Sequence, residues 1–288
     1  MKPLHLGVIG YPINQSLSPL MQSAALQAMQ FPFDYIAMEV KPEELESTLR
    51  VLPEKKFLGI NITLPHKQRA LSLMHDVSEH ARFLGAINTV IVHDKKLHGC
   101  NTDGPGFVKA VKEDFGIEVK NLHVLVLGAN GGAGRAIAAQ CILEGSPRIT
   151  LAGRNEEGIR QQAEYLSRHL PPTNPHTHIQ TTSLEINSLA RVMRDVDLIV
   201  NATSVGMNKN DPSLLPSLLF HSGQFLYDTI YFSHKTPLMQ AASNAGAHSA
   251  NGLSMLLHQG ALAFELWFEQ PAPVNVMREA LKHACTLY

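Results

Sequence analysis

The sequence is poor in cysteine, and its few cysteines are not spaced for a shared role. Only three occur in 288 residues, Cys100, Cys141 and Cys285, and no CxxC spacing is present. An odd number of distant cysteines suggests neither a disulfide framework nor a zinc site. Because this usage is typical of a reducing compartment, we expect a cytoplasmic protein.

Net charge and long apolar runs are lacking as well. The chain has 24 basic and 25 acidic residues, so its formal net charge is −1. Such a chain has no overall field that gathers nucleic acid or an anionic membrane. No apolar stretch approaches membrane-spanning length, and the N-terminal run is too short for a signal peptide. We therefore expect neither a nucleic-acid partner nor a membrane partner.

Short apolar runs alternate with helical patterns over the first hundred residues. The predicted strands are Leu4–Ile9, Phe33–Met38, Phe57–Ile62 and Ile87–His93. Pro19–Met29 is predicted to be a helix with Ser18 as its N-cap, and Pro42–Arg50 a second helix. This alternation predicts an α/β unit with a mostly parallel sheet.

A second α/β series follows. The apolar strand Leu122–Leu127 runs directly into a glycine-rich loop, GANGGAG, and then into a helical pattern. Further strands are predicted at Arg148–Ala152, His178–Thr182, Val196–Val200 and Gln224–Tyr227, which is typical of a Rossmann domain. The apolar helical segment from Leu253 to Tyr288 is expected to pack back on the N-terminal unit. We predict one domain of residues 1–103 plus 247–288 and a dinucleotide-binding domain of residues 104–246.

The glycine-rich loop indicates a nucleotide cofactor. Gly128, Gly131, Gly132 and Gly134 lie between a strand and a helix. A turn of this kind lets backbone N–H groups approach a pyrophosphate at the positive end of a helix. The spacing is not a strict GxGxxG, so an ordinary strand-to-helix turn is the alternative.

The end of the next strand favours NADP over NAD. Folds that bind NAD usually place Asp or Glu there, where it accepts from the ribose 2′-hydroxyl. This chain has Gly153-Arg154-Asn155 instead. Arg154 is suited to stacking on adenine or pairing with a 2′-phosphate, although a solvated surface arginine is the alternative. Glu156 and Glu157 fit the first turn of a helix, where they complement its dipole.

Polar side chains follow the predicted strands of the first domain. They occur in SLSP (16–19), NITLPHK (61–67), GAINT (85–89) and GCNTDG (99–104). The carboxyl ends of strands in an open α/β sheet converge on one crevice. Hydroxyls, amides, the Lys67 ammonium and the Asp103 carboxylate suit a ligand with several hydroxyls and a carboxylate, and no metal site is expected. Singly, each motif has a simpler alternative, such as a cap for Ser18 or a solvated side chain for Lys67.

These motifs together closely resemble the shikimate dehydrogenase family, in the family's order and over nearly the whole chain. The resemblance rests on SLSP, NITLPHK, GAINT, GCNTDGPG, GANGGAG, NATSVGM (201–207) and MLLHQGALAFELW (255–267). It implies an α/β enzyme whose N-terminal substrate-binding catalytic domain consists of residues 1–103 plus 247–288, and whose Rossmann-type NADP-binding domain consists of residues 104–246. The implied reaction is the reversible reduction of 3-dehydroshikimate to shikimate with NADP(H), in aromatic amino-acid (chorismate) biosynthesis. We expect a monomer or a homodimer.

The resemblance also implies roles for individual residues. Lys67 and Asp103 resemble the family's catalytic pair. The implied substrate-binding residues are Ser16, Ser18, Asn61, Thr63, Asn88, Thr102, Tyr231 and Gln259. The implied cofactor-binding residues are Gly128, Ala129, Asn130, Gly131, Gly132, Ala133, Gly134, Arg154, Asn155, Thr203, Met207 and Gly252. Of these, Met207 is expected near the nicotinamide.

The sequence departs from the usual family pattern in places. The glycine loop has one residue more than the commonest form, Met21-Gln22 replaces a frequent His-Asn, and Phe232-Ser233-His234 replaces a segment that usually contains proline. Quinate or an aminated relative therefore stays open as the substrate, as does the choice between Lys67 and Asp103 as proton carrier. A non-catalytic NADP-sensing module and a methylene-folate type of dehydrogenase are the rival functions.

Overall fold

The computed structural model describes residues 4–208, 210–231 and 235–286. The chain divides into two compact units, Met1–Gly106 with Leu256–Tyr288 (unit 1) and Phe107–Met255 (unit 2). The predicted assignment of substrate and cofactor binding to residues 1–103 plus 247–288 and 104–246 stays a prediction. The predicted departure at 232–234 lies outside the described residues.

Unit 1 contains a six-stranded mixed sheet. Its strands are β1 (Leu4–Gly10), β2 (Phe33–Glu39), β3 (Phe57–Ile62), β4 (Asp76–Val77), β5 (Thr89–His93) and β6 (Lys96–Cys100), in the order β2-β1-β3-β5-β6-β4. The β1 strand pairs in parallel with β2 and β3, and β4 in parallel with β6. The β5 strand runs antiparallel to β3 and β6. The sheet is thus mostly parallel, as predicted, with a hairpin that was not foreseen.

The tight turn of that hairpin has a local cause. Asp94 and Lys95 join β5 to β6, and their φ angles are 48° and 60°. Two consecutive positive φ values are typical of a type I′ turn, whose twist suits antiparallel strands. The turn sends the chain back along the sheet, so that β6 ends immediately before the segment that contains Asn101, Thr102 and Asp103.

Unit 2 contains a six-stranded sheet in which every pairing is parallel. Its strands are β7 (His123–Leu127), β8 (Arg148–Ala152), β9 (His178–Thr182), β10 (Leu198–Asn201), β11 (Phe225–Asp228) and β12 (His248–Asn251), in the order β12-β11-β10-β7-β8-β9. The order reverses between β7 and β10, as in dinucleotide-binding folds. The Rossmann-type prediction is confirmed, although β12 was not predicted because its residues, HSAN, are mostly polar.

The helices flank these sheets. They are α1 (Ser18–Ala28), α2 (Leu45–Val51), α3 (Glu79–Leu84), α4 (Asp103–Phe115), α5 (Gly132–Leu143), α6 (Glu156–Arg168), α7 (Ile186–Met193), α8 (Pro237–Asn244), α9 (Leu253–Phe268) and α10 (Val274–Thr286). The chain passes from unit 1 to unit 2 within α4 and returns within α9. Among the described helices, none combines the length and the apolar character needed to cross a membrane.

The start of α1 differs from the prediction. Leu17 occupies the N-cap position without a side-chain hydrogen bond to the helix, and Ser18 is the first helical residue. The prediction that Ser18 caps this helix is therefore wrong. Pro19 lies in the first turn, where its missing N–H costs nothing because that N–H has no partner within the helix. The Ser18 side chain is buried instead of exposed at a helix end.

Candidate active site

Lys67 and Asp103 form a buried ion pair in unit 1. The Lys67 Nζ atom lies 2.6 Å from the Asp103 Oδ2 atom, and the two side chains are 11% and 5% exposed. Removing one partner of a buried pair leaves an uncompensated charge, which typically costs about 3–5 kcal/mol. The structure thus places an ammonium group and a carboxylate side by side, shielded from bulk water.

The turn after β3 positions Lys67. The Thr63 N–H donates to the Ile9 carbonyl at 2.9 Å, and the His66 N–H donates to the Thr63 carbonyl at 3.0 Å. The buried His66 ring lies with its Nε2 atom 2.7 Å from the Val40 carbonyl oxygen. Because a carbonyl only accepts, that nitrogen carries the hydrogen. The ring therefore supports the turn, one residue before the lysine.

Asp103 is the first residue of α4. The Asn101 Oδ1 atom accepts from the backbone N–H groups of Asp103 and Gly104 at 2.9 and 3.2 Å. The Asn101 amide also donates to the Ala86 carbonyl at 2.8 Å, which ties the helix start to a neighbouring loop. A carboxylate in a first helical turn is further favoured by the helix dipole. Asn101 was not singled out from the sequence, although an asparagine just before a helix is a common source of acceptors for its first N–H groups.

Asn88 forms hydrogen bonds both to Asp103 of this pair and to Thr102. Its Nδ2 atom donates to Asp103 Oδ1 at 2.9 Å, and its Oδ1 atom accepts from the Thr102 N–H at 2.7 Å. A carboxylate only accepts and a backbone N–H only donates, so these bonds fix the orientation of the amide. The Thr102 hydroxyl lies 2.8 Å from Asn88 Nδ2. The structure thus brings together the predicted residues Lys67, Asp103, Asn88 and Thr102.

Gln259 reaches the same cluster from α9. Its Oε1 atom lies 3.3 Å from Asn88 Nδ2, and its Nε2 atom donates to the Leu256 carbonyl at 2.8 Å. A Cβ atom at Gly106 would lie 2.8 Å from the Gln259 Cβ and backbone N atoms. Gly106 therefore allows α4 and α9 to approach each other there. It was not singled out from the sequence, although it belongs to the GCNTDGPG motif.

Both polar atoms of the Asn61 side chain form hydrogen bonds within the protein. Its Nδ2 atom donates to the Asn88 carbonyl and to Thr89 Oγ1, both at 3.1 Å. Its Oδ1 atom accepts from the Tyr35 hydroxyl at 2.7 Å. The predicted contact between Asn61 and a substrate stays a prediction. Tyr35 was not identified from the sequence, because it does not stand out from its strand pattern. Thr89 was named only within the GAINT motif and not as a site residue.

The predicted hydroxyl residues Ser16, Ser18 and Thr63 lie near the ends of β1 and β3. The Ser16 hydroxyl accepts from the Ser18 N–H at 3.3 Å. Ser16 and Thr63 are half-buried, and Ser18 is buried. A Cβ atom at Gly10 would lie 2.4 Å from Thr63 Cγ2, so the glycine leaves room for the threonine. Their roles in binding a substrate stay predictions.

The departure at Met21-Gln22 faces α9. The Gln22 amide donates to the Gly260 carbonyl at 2.9 Å, and both side chains are buried. A Cβ atom at Gly260 would lie 2.1 Å from Met21 Cε. The pair thus packs against the helix that presents Gln259, the residue before Gly260.

The glycine loop of unit 2 requires glycine at both of its ends. Gly128 has a φ of 80°, and a Cβ atom there would lie 2.8 Å from Thr203 Cγ2. A Cβ atom at Gly134 would lie 2.3 Å from the Gly128 carbonyl oxygen. The first glycine allows the sharp turn after β7, and the second lets α5 pack against that turn.

The loop between these glycines suits a pyrophosphate. A Cβ atom at Gly131 would meet only the Gly128 carbonyl oxygen, at 3.3 Å, so the backbone is open there. Gly131 is the N-cap of α5, and the first turn of that helix contains no acidic residue. The first N–H groups of a helix have no partner within it and favour an anion. Arg135 Nε donates to the Asn130 carbonyl at 3.3 Å, which ties the first turn of α5 back to the loop.

The turn after β8 carries the residues predicted for the adenosine end of the cofactor. Arg154 is exposed, and no carboxylate stands at the end of the strand. Asn155 caps α6, because its Oδ1 atom accepts from the Gly158 N–H at 3.0 Å. Glu157 pairs with Arg160 on the same helix, and this hydrogen bond lowers the pKa of the Glu157 carboxyl. The turn therefore offers the Arg154 guanidinium and the Asn155 amide hydrogens to a ligand.

A second turn of unit 2, after β10, contains Thr203 and Met207. The Thr203 hydroxyl donates to Asn201 Oδ1 at 2.8 Å, and the Asn201 amide donates to Asp228 Oδ1 at 2.9 Å. Burial raises the pKa of the Asp228 carboxyl, and hydrogen bonds such as that from Thr236 oppose the rise. Met207 is 39% exposed at the end of the turn. Asn201 and Asp228 were not predicted, although both are buried polar residues that shape it.

The other predicted residues of unit 2 are Gly252 and Tyr231. A Cβ atom at Gly252 would lie 2.1 Å from the Thr229 carbonyl oxygen, so the position requires glycine. Tyr231 is half-buried and is the last described residue before the gap at 232–234. Within the described ranges, His, Cys, Asp and Glu side chains form no group of three or more that could hold a metal ion.

Comparisons with known proteins identify the family. Residues 8–90 match the family described as shikimate dehydrogenase substrate binding domain, and residues 252–282 the family described as shikimate 5'-dehydrogenase C-terminal domain. The shikimate dehydrogenase (NADP(+)) of Methanopyrus kandleri is 37% identical, over 96% of this chain and 94% of the relative. The quinate/shikimate dehydrogenase of Escherichia coli O139:H28 is 34% identical, over 96% of both chains.

A solved structure agrees with these relatives. The shikimate 5-dehydrogenase of Thermus thermophilus, in complex with NADP(H) and shikimate, superimposes with a TM-score of 0.84. It is 35% identical, over 98% of this chain and 99% of that chain. The recognised motifs, the two sheets and the glycine loop therefore have one common explanation. The chain belongs to the shikimate dehydrogenase family.

Proposed function

We propose that the chain catalyses the reversible reduction of 3-dehydroshikimate to shikimate with NADP(H). The observation that carries this proposal is the buried Lys67–Asp103 pair, which Asn88 joins to hydroxyl and amide groups in unit 1. A polyhydroxylated ring acid needs such groups, whereas a folded core does not. The relatives named as NADP-dependent shikimate dehydrogenases support the same reaction.

The chemistry divides between cofactor and protein. NADPH supplies the hydride for the substrate carbonyl carbon, and the protein supplies orientation and a proton. We assign the proton to Lys67, whose ammonium group stabilises the developing alkoxide and protonates it. Asp103 holds the Lys67 Nζ atom at 2.6 Å and has a second oxygen that faces Asn88. In the oxidative direction, the substrate proton returns to this pair.

Substrate binding is assigned to the polar residues around the pair. Ser16 and Ser18 are proposed to hold the substrate carboxylate, because hydroxyls near a helix start suit an anion. Thr63, Asn88 and Gln259 are proposed to contact the ring hydroxyls, together with Asn61, Thr102 and Tyr231. The arrangement of Asn88 supports this assignment, because its amide already bridges Asp103 and Gln259.

NADP is proposed as the preferred cofactor. The glycine loop offers backbone N–H groups for the pyrophosphate, and the exposed Arg154 offers a positive charge for the 2′-phosphate. No carboxylate stands at the end of β8 to bind an unmodified ribose or to repel a phosphate. We therefore assign the preference for NADP over NAD to Arg154, because its guanidinium is the positively charged partner of the 2′-phosphate.

Quinate is the second candidate substrate. The relative from Escherichia coli is named a quinate/shikimate dehydrogenase, so the family accepts both rings in at least that member. An aminated relative of shikimate and a non-catalytic NADP-sensing module are less well supported. A sensing module needs no buried lysine–carboxylate pair, and the pair is present here.

The deciding experiment follows the absorbance of the nicotinamide with purified protein. Shikimate and quinate are each offered with NADP and with NAD. The fastest reduction is expected for shikimate with NADP. A higher kcat/KM for quinate, or for NAD, overturns the corresponding choice, and measurable NADPH binding without any turnover favours the sensing module.

The proposal also covers the cellular location and the oligomeric state of the protein. We propose a cytoplasmic enzyme, because the three cysteines of the chain are all free. A monomer or a homodimer is proposed as the working state. Light scattering coupled to size-exclusion chromatography decides between the two, since the chain mass is 31.6 kDa.

A further inference from the structure

Tyr35 is a buried polar residue close to the catalytic pair that has no role in the reaction as proposed above. It lies in β2, is 5% exposed, and its hydroxyl donates to Asn61 Oδ1 at 2.7 Å. Burial raises the pKa of the phenol well above its ordinary value, so the hydroxyl keeps its hydrogen at any working pH. Its ring packs beside Trp267, with the centroids 6.2 Å apart.

The position of the Tyr35 ring is fixed by neighbouring elements. The Trp267 Nε1 atom donates to the Val90 carbonyl at 3.0 Å. A Cβ atom at Gly59 would lie 2.2 Å from the same nitrogen, so β3 leaves space for the indole. Because the ring has little freedom to move, its hydroxyl stays at one position and can orient the group that accepts its hydrogen bond.

The orientation of the Asn61 side-chain amide follows from its other hydrogen-bond partners. Its Nδ2 atom faces the Asn88 carbonyl and Thr89 Oγ1, both at 3.1 Å. A carbonyl can only accept, so the Nδ2 hydrogens point there and Oδ1 points to Tyr35. The amide thus has one orientation in which all its bonds are satisfied, and the Tyr35 hydroxyl is the donor that completes it.

Hydrogen bonds of the same direction continue to the catalytic pair. Thr89 Oγ1 donates to Asn88 Oδ1 at 3.0 Å. Asn88 Nδ2 donates to Asp103 Oδ1 at 2.9 Å, and Asp103 Oδ2 accepts from Lys67 at 2.6 Å. The Asn88 backbone is already held by the sheet, because its carbonyl also accepts from the Ile62 N–H at 2.8 Å. The connection from Tyr35 therefore acts on the Asn88 side chain, through Asn61 and Thr89.

An alternative state exists if Asn61 is not held. The Thr89 hydroxyl lies 3.2 Å from Thr102 Oγ1 as well as 3.0 Å from Asn88 Oδ1. Without a donor, the buried Asn61 Oδ1 atom is unsatisfied, which is costly, so the amide is held less firmly in the orientation that its Nδ2 bonds require. Thr89 then loses the Asn61 hydrogen and is free to turn to Thr102, which leaves Asn88 less well held.

We propose that Tyr35 is a positioning residue for the reaction: its hydroxyl orients Asn61, and through Thr89 and Asn88 it keeps Asp103 aligned with Lys67. This inference rests on the proposed function for its effect on turnover. The alignment itself is a property of unit 1 and can be measured without turnover. The tyrosine does not touch the pair, but it acts through Asn61 and Asn88, which are proposed to contact the ring. Its effect is therefore expected in kcat and in the KM for the ring acid, and not in the KM for NADPH.

The test compares Tyr35→Phe with Tyr227→Phe. Tyr227 is also a buried tyrosine with a bonded hydroxyl, 2.9 Å from Ser254 Oγ, and it has no assigned role in the reaction. Both variants are expected to lose stability, but only Tyr35→Phe is expected to lose kcat, by about tenfold, because small misplacements of reacting groups are costly. The KM for NADPH is expected to stay within about twofold. A normal kcat in Tyr35→Phe, or an equal loss in Tyr227→Phe, overturns the proposal.

A double-mutant cycle tests the route. If Tyr35 acts through Asn61, adding Tyr35→Phe to Asn61→Leu produces no further loss of kcat, because the group it orients is already missing. An undiminished further loss overturns the proposed route.

Amide hydrogen exchange separates this inference from the proposed function. The Thr102 N–H donates to Asn88 Oδ1 at 2.7 Å, so its exchange is expected to accelerate in Tyr35→Phe and not in Tyr227→Phe. Unchanged exchange at Thr102 overturns the positioning role even if the wild type turns over no ring acid, whereas faster exchange supports it in that case too.

Discussion

The polar cluster of unit 1 and the glycine loop of unit 2 are built in opposite ways. The cluster consists of buried side chains whose hydrogen bonds fix one another, as with Asn88 between Thr102 and Asp103. The loop consists of backbone, and its key positions have no side chain at all. A cluster of side chains is damaged by removing atoms. A backbone cradle is damaged by adding them.

The difference matches the ligands that the two regions are proposed to bind. A ring acid presents hydroxyls at defined places, which side chains of different lengths can reach. A pyrophosphate presents the same charge in every related cofactor, and backbone N–H groups at a helix start suffice for it. Specificity is therefore expected to depend on side chains, including Arg154 at the adenosine end of unit 2.

Loss of Lys67 is expected to have the largest effect. Lys67→Ala removes the proposed proton donor, and general acid catalysis typically contributes about 10²–10⁴-fold. We expect kcat to fall by about 10³-fold, with the KM for NADPH changed little. Steady-state kinetics measure both. A kcat near that of the wild type would remove lysine from the chemistry.

Asp103→Ala tests the other half of the pair. It leaves the Lys67 ammonium buried without its partner and removes the acceptor of Asn88. We expect losses in both kcat and the affinity for shikimate. Calorimetric titration with shikimate measures the affinity directly, and unchanged binding would exclude Asp103 from contact with the ring.

Two glycine substitutions distinguish packing from ligand approach in the loop. Gly134→Ala places a Cβ atom 2.3 Å from the Gly128 carbonyl oxygen, so it is expected to lower the melting temperature of the apo protein. Gly131→Ala meets one atom at 3.3 Å and is expected to leave that temperature nearly unchanged. Both are expected to weaken NADPH binding by about tenfold, because Gly134→Ala displaces the loop and Gly131→Ala places a methyl group where the backbone must approach the pyrophosphate closely. Normal NADPH affinity in Gly131→Ala would place the pyrophosphate elsewhere.

Arg154→Ser is expected to have a smaller, selective effect. The KM for NADPH should rise by about fivefold, because an exposed ion pair contributes at most about 1 kcal/mol. The KM for NADH should not change. Arg168→Ser, an exposed arginine at the other end of α6, is the matched control. Equal changes for both cofactors would show that Arg154 does not bind the 2′-phosphate.

The smallest effect expected is a pH dependence of stability that originates in unit 2. His123 is buried between the Asp195 carbonyl and Thr150 Oγ1, and burial lowers the pKa of its ring. The folded state then binds fewer protons than the unfolded state, so the free energy of unfolding rises with pH. This contribution is fully present above about pH 6.5, the ordinary histidine pKa, and declines as the pH falls below it.

Chemical unfolding at pH 5 and pH 7.5 measures this dependence. The decline should be smaller in His123→Asn and unchanged in His178→Asn, which alters an exposed histidine at the start of β9. An equal decline in all three proteins would assign the pH dependence to other groups.

Local patterns predicted much of the fold. The five residues of β7 are all buried, and their continuous apolar run is typical of a central parallel strand. The β9 strand has the predicted bounds, His178–Thr182. The β5–β6 hairpin was missed because its turn residues are Asp94 and Lys95, without the glycine that usually marks a type I′ turn. Strand β12 was missed because HSAN offers almost no apolar residue.

The site was predicted where residues occur in motifs and missed where they act through contacts. Lys67, Asp103 and Asn88 were named from segments far apart in the chain, and the structure brings them into one hydrogen-bonded cluster. Tyr35 and Asp228 were missed, because a tyrosine or an aspartate in a strand pattern gives no sign of its partner. Their partners, Asn61 and Asn201, come from other strands.

The motifs along the chain were enough to recognise the family, and local patterns were enough to predict the order of the two α/β series and the residue types available for chemistry. The folded structure was needed to show that Ser18 begins its helix without capping it, that His66 supports a turn, and that Asn88 has a single orientation. The last two depend on a donor or acceptor supplied by a distant residue. A hydrogen bond has a direction and a length, and these are set only when the chain has folded.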